Sequence, residues 1–439
     1  MSTPRRMRPG ETRGACRAVD PPGWTAGQPG ANLRTPMRPS WIAALSATLL
    51  IQTVGTFVSQ SIPVVAPRMT AELGVPPEMV GNYASLNTLG AILFLLFGTP
   101  LVAAFGPARL LQWGVLTGAG ALGLAMAGQL WLLPAAALLM GIGYGPTGPA
   151  GSRILQETAP PRHRVLIFSV KQAGAPAGGA MAGFIAAPIA AAWGWQAALG
   201  AGIVIAVLSA LALQPLRGSL DAERSARFPL REAFRLRSLA APVTTLGLHP
   251  VLPPLCLQAF AFAALQGSLF NFTVTWLVEA HGFSLPAAGT VYATMQIAGV
   301  TGRLVLGWAA DRLGDATRSL TVHGLVAAGL SALFVLAAPG APWALALLLG
   351  FLCGFTSASW NGIFLAEVAR VSPPDRVAEA SSGAIMLCFL GYLTAPSAFA
   401  LAVNQTGSWT LPFLVACALL AAISLLVFAW RGARRGAAE

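Results

Sequence analysis

Apolar runs of about 18 residues or more recur along almost all of this chain, and each is long enough to cross a hydrocarbon core about 30 Å thick as a helix. Both faces of every run are apolar. The period-two alternation of a membrane β-barrel strand is missing, so only helices, which satisfy their own backbone groups, can hold these segments in lipid. A soluble surface is out of reach as well: 10% of residues are charged against 55% hydrophobic, where soluble domains carry about a quarter charged. The fold class expected is an all-α membrane protein.

Spans are expected near 41–66, 79–98, 109–128, 130–157, 165–190 and 195–213, then near 250–278, 286–308, 319–338, 342–369, 377–403 and 408–430. That is twelve transmembrane helices in two pseudo-symmetric six-helix bundles, residues 41–213 and 250–430, joined by a polar connector over 214–249. Residues 1–40 hold seven Arg with repeated Pro and Gly and read as a disordered cytoplasmic tail. Met37 is an alternative start. Residues 431–439 form a short cytoplasmic C-terminal tail.

The net charge of +12 would suggest nucleic acid in a soluble chain, but its distribution argues for orientation instead. Arg109, Arg162, Arg164, Arg312, Arg318, Arg370, Arg376 and the cluster from Arg217 to Arg237 all fall on one side of the expected topology, and only Arg68 on the other. The positive-inside rule then places both termini in the cytoplasm and the chain in the cell inner membrane as a multi-pass protein. Nucleic acid is not an expected partner; membrane lipids are. The five Cys have no metal-type spacing and read as free thiols. His163, His249, His281 and His323 fall at or near span ends, no Walker loop appears, and neither an enzyme nor a cofactor is expected. Neither tail supplies a partner domain for a purely signalling role, and a monomer is expected.

The halves repeat each other. Tyr83-Ala84 falls on Tyr292-Ala293, Gly90 on Gly299 and Gly98 on Gly307 at one offset; with small drift Glu157 falls on Glu367, Arg164 on Arg376 and Trp195 on Trp409. Duplicated halves put a solute site at their seam near the midplane, opened to each side in turn.

After the eighth span the chain reads Gly307-Trp-Ala-Ala-Asp311-Arg312-Leu-Gly314. This resembles the signature loop of the major facilitator superfamily. The copy at Gly98 to Arg109 keeps glycines and a basic residue without the Asp-Arg pair, and the fifth span's Lys171-Gln172-Ala-Gly174-Ala-Pro176 run is similar to that of many bacterial members. The likeness covers roughly residues 40–430. It implies a twelve-helix transporter working by alternating access. As a conformational latch we expect Gly307, Asp311, Arg312 and Gly314 with Glu157 and Glu367: Asp311 against the positive end of a neighbouring helix, Arg312 paired with a carboxylate such as Glu367. Arg312 binding lipid headgroups is the bland alternative.

Charges inside a span are costly and point to function. Lys171, the chain's only lysine, lies in the fifth span and Arg303 in the eighth. The resemblance implies that these two helices meet across the seam, which would set both cations on one cavity wall. No acid lies mid-span to neutralise them, and Arg153 is one turn from Glu157 and suited to pair with it. Arg303 is also similar to the carboxylate-binding arginine of oxalate/formate and monocarboxylate carriers. The expected solute is therefore a small organic anion, moved by a secondary active transporter or a facilitator, with a proton or a counter-anion as the open coupling question. In the competing reading both cations snorkel to the interface and pair with Glu157, Glu367 or Asp311, and the chain is a drug or metabolite efflux carrier with an apolar cavity. Gln52, Gln60, Asn87, Tyr144 and Gln172 from the first half, and Gln266, Asn271, Gln296, Trp360 and Asn361 from the second, could complete the site, although a lone polar side chain in a span more often bonds a neighbouring helix. The fourth span, with Gly145-Pro146 at its centre, should bend.

Overall fold

A computed structural model describes residues 40–221, 244, 246–337, 340–374 and 376–436. The described residues form helices and no strand. α1 spans Trp41–Leu73, α2 Pro77–Phe105, α4 Leu130–Thr158, α5 Leu166–Trp193 and α6 Trp195–Leu220, with α3 over Pro107–Met126. The second half holds α7 (Leu252–Glu279), α8 (Leu285–Leu313), α9 (Ala316–Ala337), α10 (Trp343–Val371), α11 (Val377–Thr406) and α12 (Thr410–Gly436). Ten of these are long and apolar enough to cross a membrane by composition alone. α3 and α8 fall short because Gln, Gly, Thr and Arg dilute them.

The ends follow local chemistry. Ser40 caps α1, its hydroxyl accepting from Ala43 N at 3.2 Å, and Gly74 stops the helix in the left-handed conformation. α4 is interrupted after Tyr144 and resumes at Thr147, as expected of Gly145-Pro146, because Pro146 has no N–H to donate. α10 is interrupted too, between Ser357 and Trp360. No proline marks that break, and the sequence reading did not anticipate it. Single π-turns interrupt α2 at Phe94–Gly98 and α5 at Ala182–Ala186.

The helices pair as two copies of one pattern. In the first half α1 packs on α5 and α6, α2 on α4, and α3 on α4 and α6; in the second α7 packs on α11 and α12, α8 on α10, and α9 on α10 and α12. The contacts between halves repeat as well: α2 meets α11 and α5 meets α8, with α1 against α7 in the middle. The pseudo-twofold relation expected from the duplicated sequence is present. The amino-terminal tail and residues 222–243 of the connector lie outside the described residues, and α6 itself runs on through Leu220.

The seam is closed at one end. There the Ser397 hydroxyl and the Ser85 hydroxyl lie 2.8 Å apart, Thr88 donates to Tyr392 O at 3.4 Å, and Asn404 donates to Glu78 at 3.4 Å. On the other flank Gly183 lies so near α8 that a Cβ on it would sit 2.3 Å from Gly289 O. Only glycine permits that backbone approach.

Candidate functional site

A cavity of about 1130 Å³ opens between the halves at the opposite end of the seam. Its walls come from Arg164, just before α5, from Leu166, Phe168, Ser169, Val170, Gln172 and Ala173 of α5, from the last turns of α8 (Val300, Arg303, Leu304, Gly307) and from the second segment of α10 with Ser359 before it (Asn361, Gly362, Ile363, Leu365), with Gln156 of α4 at the mouth. Most of the surface they present is apolar, although Arg164, Gln172, Arg303 and Asn361 also face it. The mouth belongs to the end where the loops carry Arg109, Arg162, Arg164, Arg312, Arg318, Arg370 and Arg376.

Two cations line this cavity: Arg164, exposed and donating to Gln156 O at 3.4 Å, and Arg303 of α8. Arg303 Nε donates to Ala358 O at 3.1 Å, at the break in α10, and one terminal nitrogen donates to Gln172 O of α5 at 3.3 Å. The remaining guanidinium N–H groups stay unused, and no carboxylate pairs with it among the described residues. Tyr392 and Tyr144, one from each half, are close enough to feel its charge, and Asn361 lies beside the Tyr392 hydroxyl.

Lys171 is elsewhere. It is 2% exposed and turned into the first bundle, where Nζ donates to Thr147 O at 3.0 Å and to Gln172 Oε1 at 3.4 Å, with its stem against Gly151. The expected shared wall is therefore not formed: Arg303 lines the cavity, Lys171 braces the resumption of α4, and Gln172 stands between them. Neither snorkels to Glu157, Glu367 or Asp311.

The neutral candidates form hydrogen-bonded sets deeper in the seam. Gln52 donates to the Tyr144 hydroxyl at 2.9 Å, with Thr56 at 3.3 Å, and Asn87 donates to Ser59 at 2.9 Å. Trp360 and Tyr392 both donate to Gln266 Oε1, at 2.9 and 2.8 Å. Gln296 donates to the Tyr292 hydroxyl at 2.7 Å, which donates across the seam to Gln60 at 3.0 Å. Asn271 only bonds its own helix, at Gly267 O. Among the candidates Arg303, Gln172 and Asn361 line the cavity. Tyr292 and Tyr392, not among the expected residues, join these sets, and a signal for them existed: the chain has four tyrosines, all inside spans rather than in interfacial belts.

The latch differs from expectation. Arg312 stacks over the Trp308 ring, 4.4 Å from its centroid, and Asp311 is exposed. Glu367, whose side chain is fully buried, takes two 2.7 Å bonds from Arg370 and one of 2.6 Å from Thr317. Arg370 is nearer along the same helix, three residues on, and outcompetes Arg312. Glu157 pairs with Arg153 at 2.9 Å as expected. In the first half, where the Asp-Arg pair is absent, Asp221 substitutes from the end of α6: its carboxylate accepts from Ala108 N at 2.8 Å and Arg109 N at 3.2 Å and so caps α3. Cys256, Cys353, Cys388 and Cys417 are free; Cys16 lies outside the described residues. His323, placed near a span end by the sequence, is in fact buried two turns into α9.

A sequence model of the Major Facilitator Superfamily matches residues 48–396. The chain belongs to this superfamily. Among curated members it is 28% identical over 277 residues to the 4-hydroxybenzoate transporter PcaK of Pseudomonas putida, covering 56% of this chain and 61% of that one. It is 26% identical over 344 residues to the 3-(3-hydroxy-phenyl)propionate transporter of Escherichia coli, covering 77% and 81%. The matched part spans 59% of the length of the first curated relatives, uncharacterized transporters of the same type from Mycobacterium tuberculosis. The fold superposes on a bacterial homolog of the human lysosomal transporter Spinster with a TM-score of 0.69 at 16% identity, covering 88% of this chain and 95% of that one. In this chain the cavity lies at the seam of the halves.

Proposed function

We propose that this major facilitator carries a small organic carboxylate across the cell inner membrane by alternating access, with the arginine-rich end in the cytoplasm. The observation that carries the reading is Arg303: a guanidinium in a cavity of largely apolar surface, anchored by two carbonyl oxygens and, among the described residues, left with free N–H donors and no carboxylate partner. A planar donor fork recognises a carboxylate in two parallel bonds, and the low dielectric of the cavity strengthens them. The largely apolar walls suit an apolar or aromatic body behind the carboxylate. Relatives that carry 4-hydroxybenzoate and 3-(3-hydroxy-phenyl)propionate support that class. The positive loops at the cavity mouth support the orientation. In that orientation the structure is open to the cytoplasm and closed outside. Lys171 supports the cavity by fixing α4 to α5.

The test is uptake of radiolabelled 4-hydroxybenzoate, with phenol and a cationic dye as controls, in proteoliposomes. Uptake of the acid alone is expected, and Arg303→Gln should lower its kcat/KM about 30-fold, the worth of roughly 2 kcal/mol for a charged hydrogen-bonded pair. Equal uptake by the variant, or dye transport without acid transport, would favour an efflux carrier with an apolar cavity.

A further inference from the structure

The interruption of α10 leaves the last carbonyls of its first segment, Trp343–Ser357, without helical partners, at the negative end of that segment's dipole. Two side chains reach this broken turn from opposite directions. Arg303 donates to Ala358 O at 3.1 Å from the cavity. His323 of α9 places Nε2 2.6 Å from Thr356 O from inside the second bundle. A carbonyl only accepts, so Nε2 carries the proton and Nδ1 is the bare nitrogen. His323 is 7% exposed, and Nδ1 has no hydrogen-bond partner among the described residues. The ring stands edge-on to Phe262, which stacks on Trp360, whose Nε1 donates to Gln266; the same Gln266 oxygen accepts from Tyr392 beside Arg303.

A basic nitrogen buried without a partner costs stability that an apolar side chain would not. Packing does not require it. The ionisable groups on the elements around it leave its charge free to change. α9 carries Arg318, with Asp315 just before it; α10 carries Cys353 and the mutually paired Glu367 and Arg370; α7 carries Cys256 and, at its far end, Glu279; α8 carries Arg303, Asp311 and Arg312; α12 carries Cys417 and its terminal arginines. Among the described residues no carboxylate pairs with the ring. Ser319, one turn before His323 on the same helix, has a buried hydroxyl that likewise has no hydrogen-bond partner among the described residues.

We propose that His323 is a proton-binding site, with Nδ1 taking the proton, linked to an anion at Arg303 through the broken turn of α10 that both side chains hold. The linkage rests on the anion reading above. Protonation adds a positive charge at the helix end that Arg303 already occupies and strengthens the cavity's attraction for a carboxylate. By reciprocity, the bound carboxylate makes the proton easier to hold. Solute and proton then cross together.

The test uses the full chain in lipid nanodiscs and in proteoliposomes. The ring resonances of His323, assigned by their loss in His323→Gln, are titrated with no ligand present. The ring is expected to titrate within the pH range over which the chain stays folded, with a midpoint that rises by about one pH unit in Arg303→Gln, the order expected for removing a nearby positive charge. A ring that does not titrate there, or whose midpoint ignores Arg303, overturns the proposal whether or not any anion binds. In proteoliposomes, His323→Gln should lose at least tenfold more of the 4-hydroxybenzoate accumulation driven by a proton gradient than of 4-hydroxybenzoate counterflow. Equal losses, or none, overturn it. Should Arg303→Gln leave both transport assays intact, the anion reading falls and the linkage with it, while the ligand-free titration still decides whether His323 binds a proton.

Discussion

The carbonyl oxygen of Gln172 accepts a hydrogen bond from Arg303 at 3.3 Å, a contact that crosses from one half of the transporter to the other. The side chain of the same residue accepts from Lys171 at 3.4 Å. The two membrane-buried cations are thus joined through one neutral residue rather than set side by side. Like charges that would repel on a shared wall are separated by polar groups aligned with both.

Arg303→Lys keeps the charge and removes the planar fork. A lysine is a point charge on a flexible stem and cannot hold Ala358 O and a bidentate carboxylate together. We expect its KM for 4-hydroxybenzoate to rise about tenfold while kcat changes less, measured by initial uptake rates. A KM equal to that of the unsubstituted chain would show that the fork is not used.

The closed end depends on the approach of Gly183 to Gly289. Gly183→Leu puts a side chain where a Cβ alone would already lie 2.3 Å from a backbone oxygen, so the seam cannot close there. The population should shift toward a form open at that end. Ser397→Cys, placed beside Ser85, reports this: labelling by a membrane-impermeant maleimide should be at least fivefold faster when Gly183→Leu is also present. An unchanged rate would mean that the flank yields by other means.

Arg370 is largely exposed, yet its partner Glu367 is fully buried. Arg370→Ala leaves a buried carboxylate with Thr317 as its remaining partner and should cost about 3 kcal/mol, near the cost of breaking a buried pair. Adding Glu367→Gln should restore most of it, because the charge to be compensated is gone. Melting followed by tryptophan fluorescence in detergent reads both; additive losses in the double variant would contradict the coupling.

Asp221 offers a pH test outside the spans. Burial pushes its carboxyl above the ordinary range, against the opposing pull of the Ala108 and Arg109 amides and of Arg217 and Arg109. A raised folded value means that the folded chain holds this proton more tightly than the unfolded one. Its contribution is therefore greatest below the unfolded value and declines as pH rises through the folded one. The unsubstituted chain should lose melting temperature relative to Asp221→Asn as pH rises from the ordinary carboxylate range through the raised folded value. Asp221→Ala, which removes the cap, should cost about 1 kcal/mol. A difference that does not change with pH would contradict the direction.

The architecture was legible because lipid leaves so few options: long apolar runs, an even count set by the arginine bias, and the Tyr83/Tyr292 and Gly98/Gly307 repeats all point to one fold. The bend of α4 was legible because Pro146 is a covalent cause. The break of α10 was not, since nothing at Ala358-Ser359 forbids a helix and the interruption is held by contacts with Arg303 and His323 from other elements. Lys171 and Arg303 could be singled out as costly, but a helix position gives no azimuth without its neighbours, and their azimuths sent them to different places. The Arg312 to Glu367 pairing failed for a similar reason: Arg370, three residues from Glu367, could reach it without any change of helix.

The two interrupted helices occupy equivalent places in the repeat, but they are finished differently. In α4 the freed turn is held by Lys171 from within its own bundle, which makes that joint a fixed strut. In α10 it is bonded by Arg303 from the cavity and by His323 from inside the second bundle, so two side chains on different helices meet at one turn. A symmetric scaffold thus closes off its two broken turns differently, one from within a bundle and one from both flanks at once.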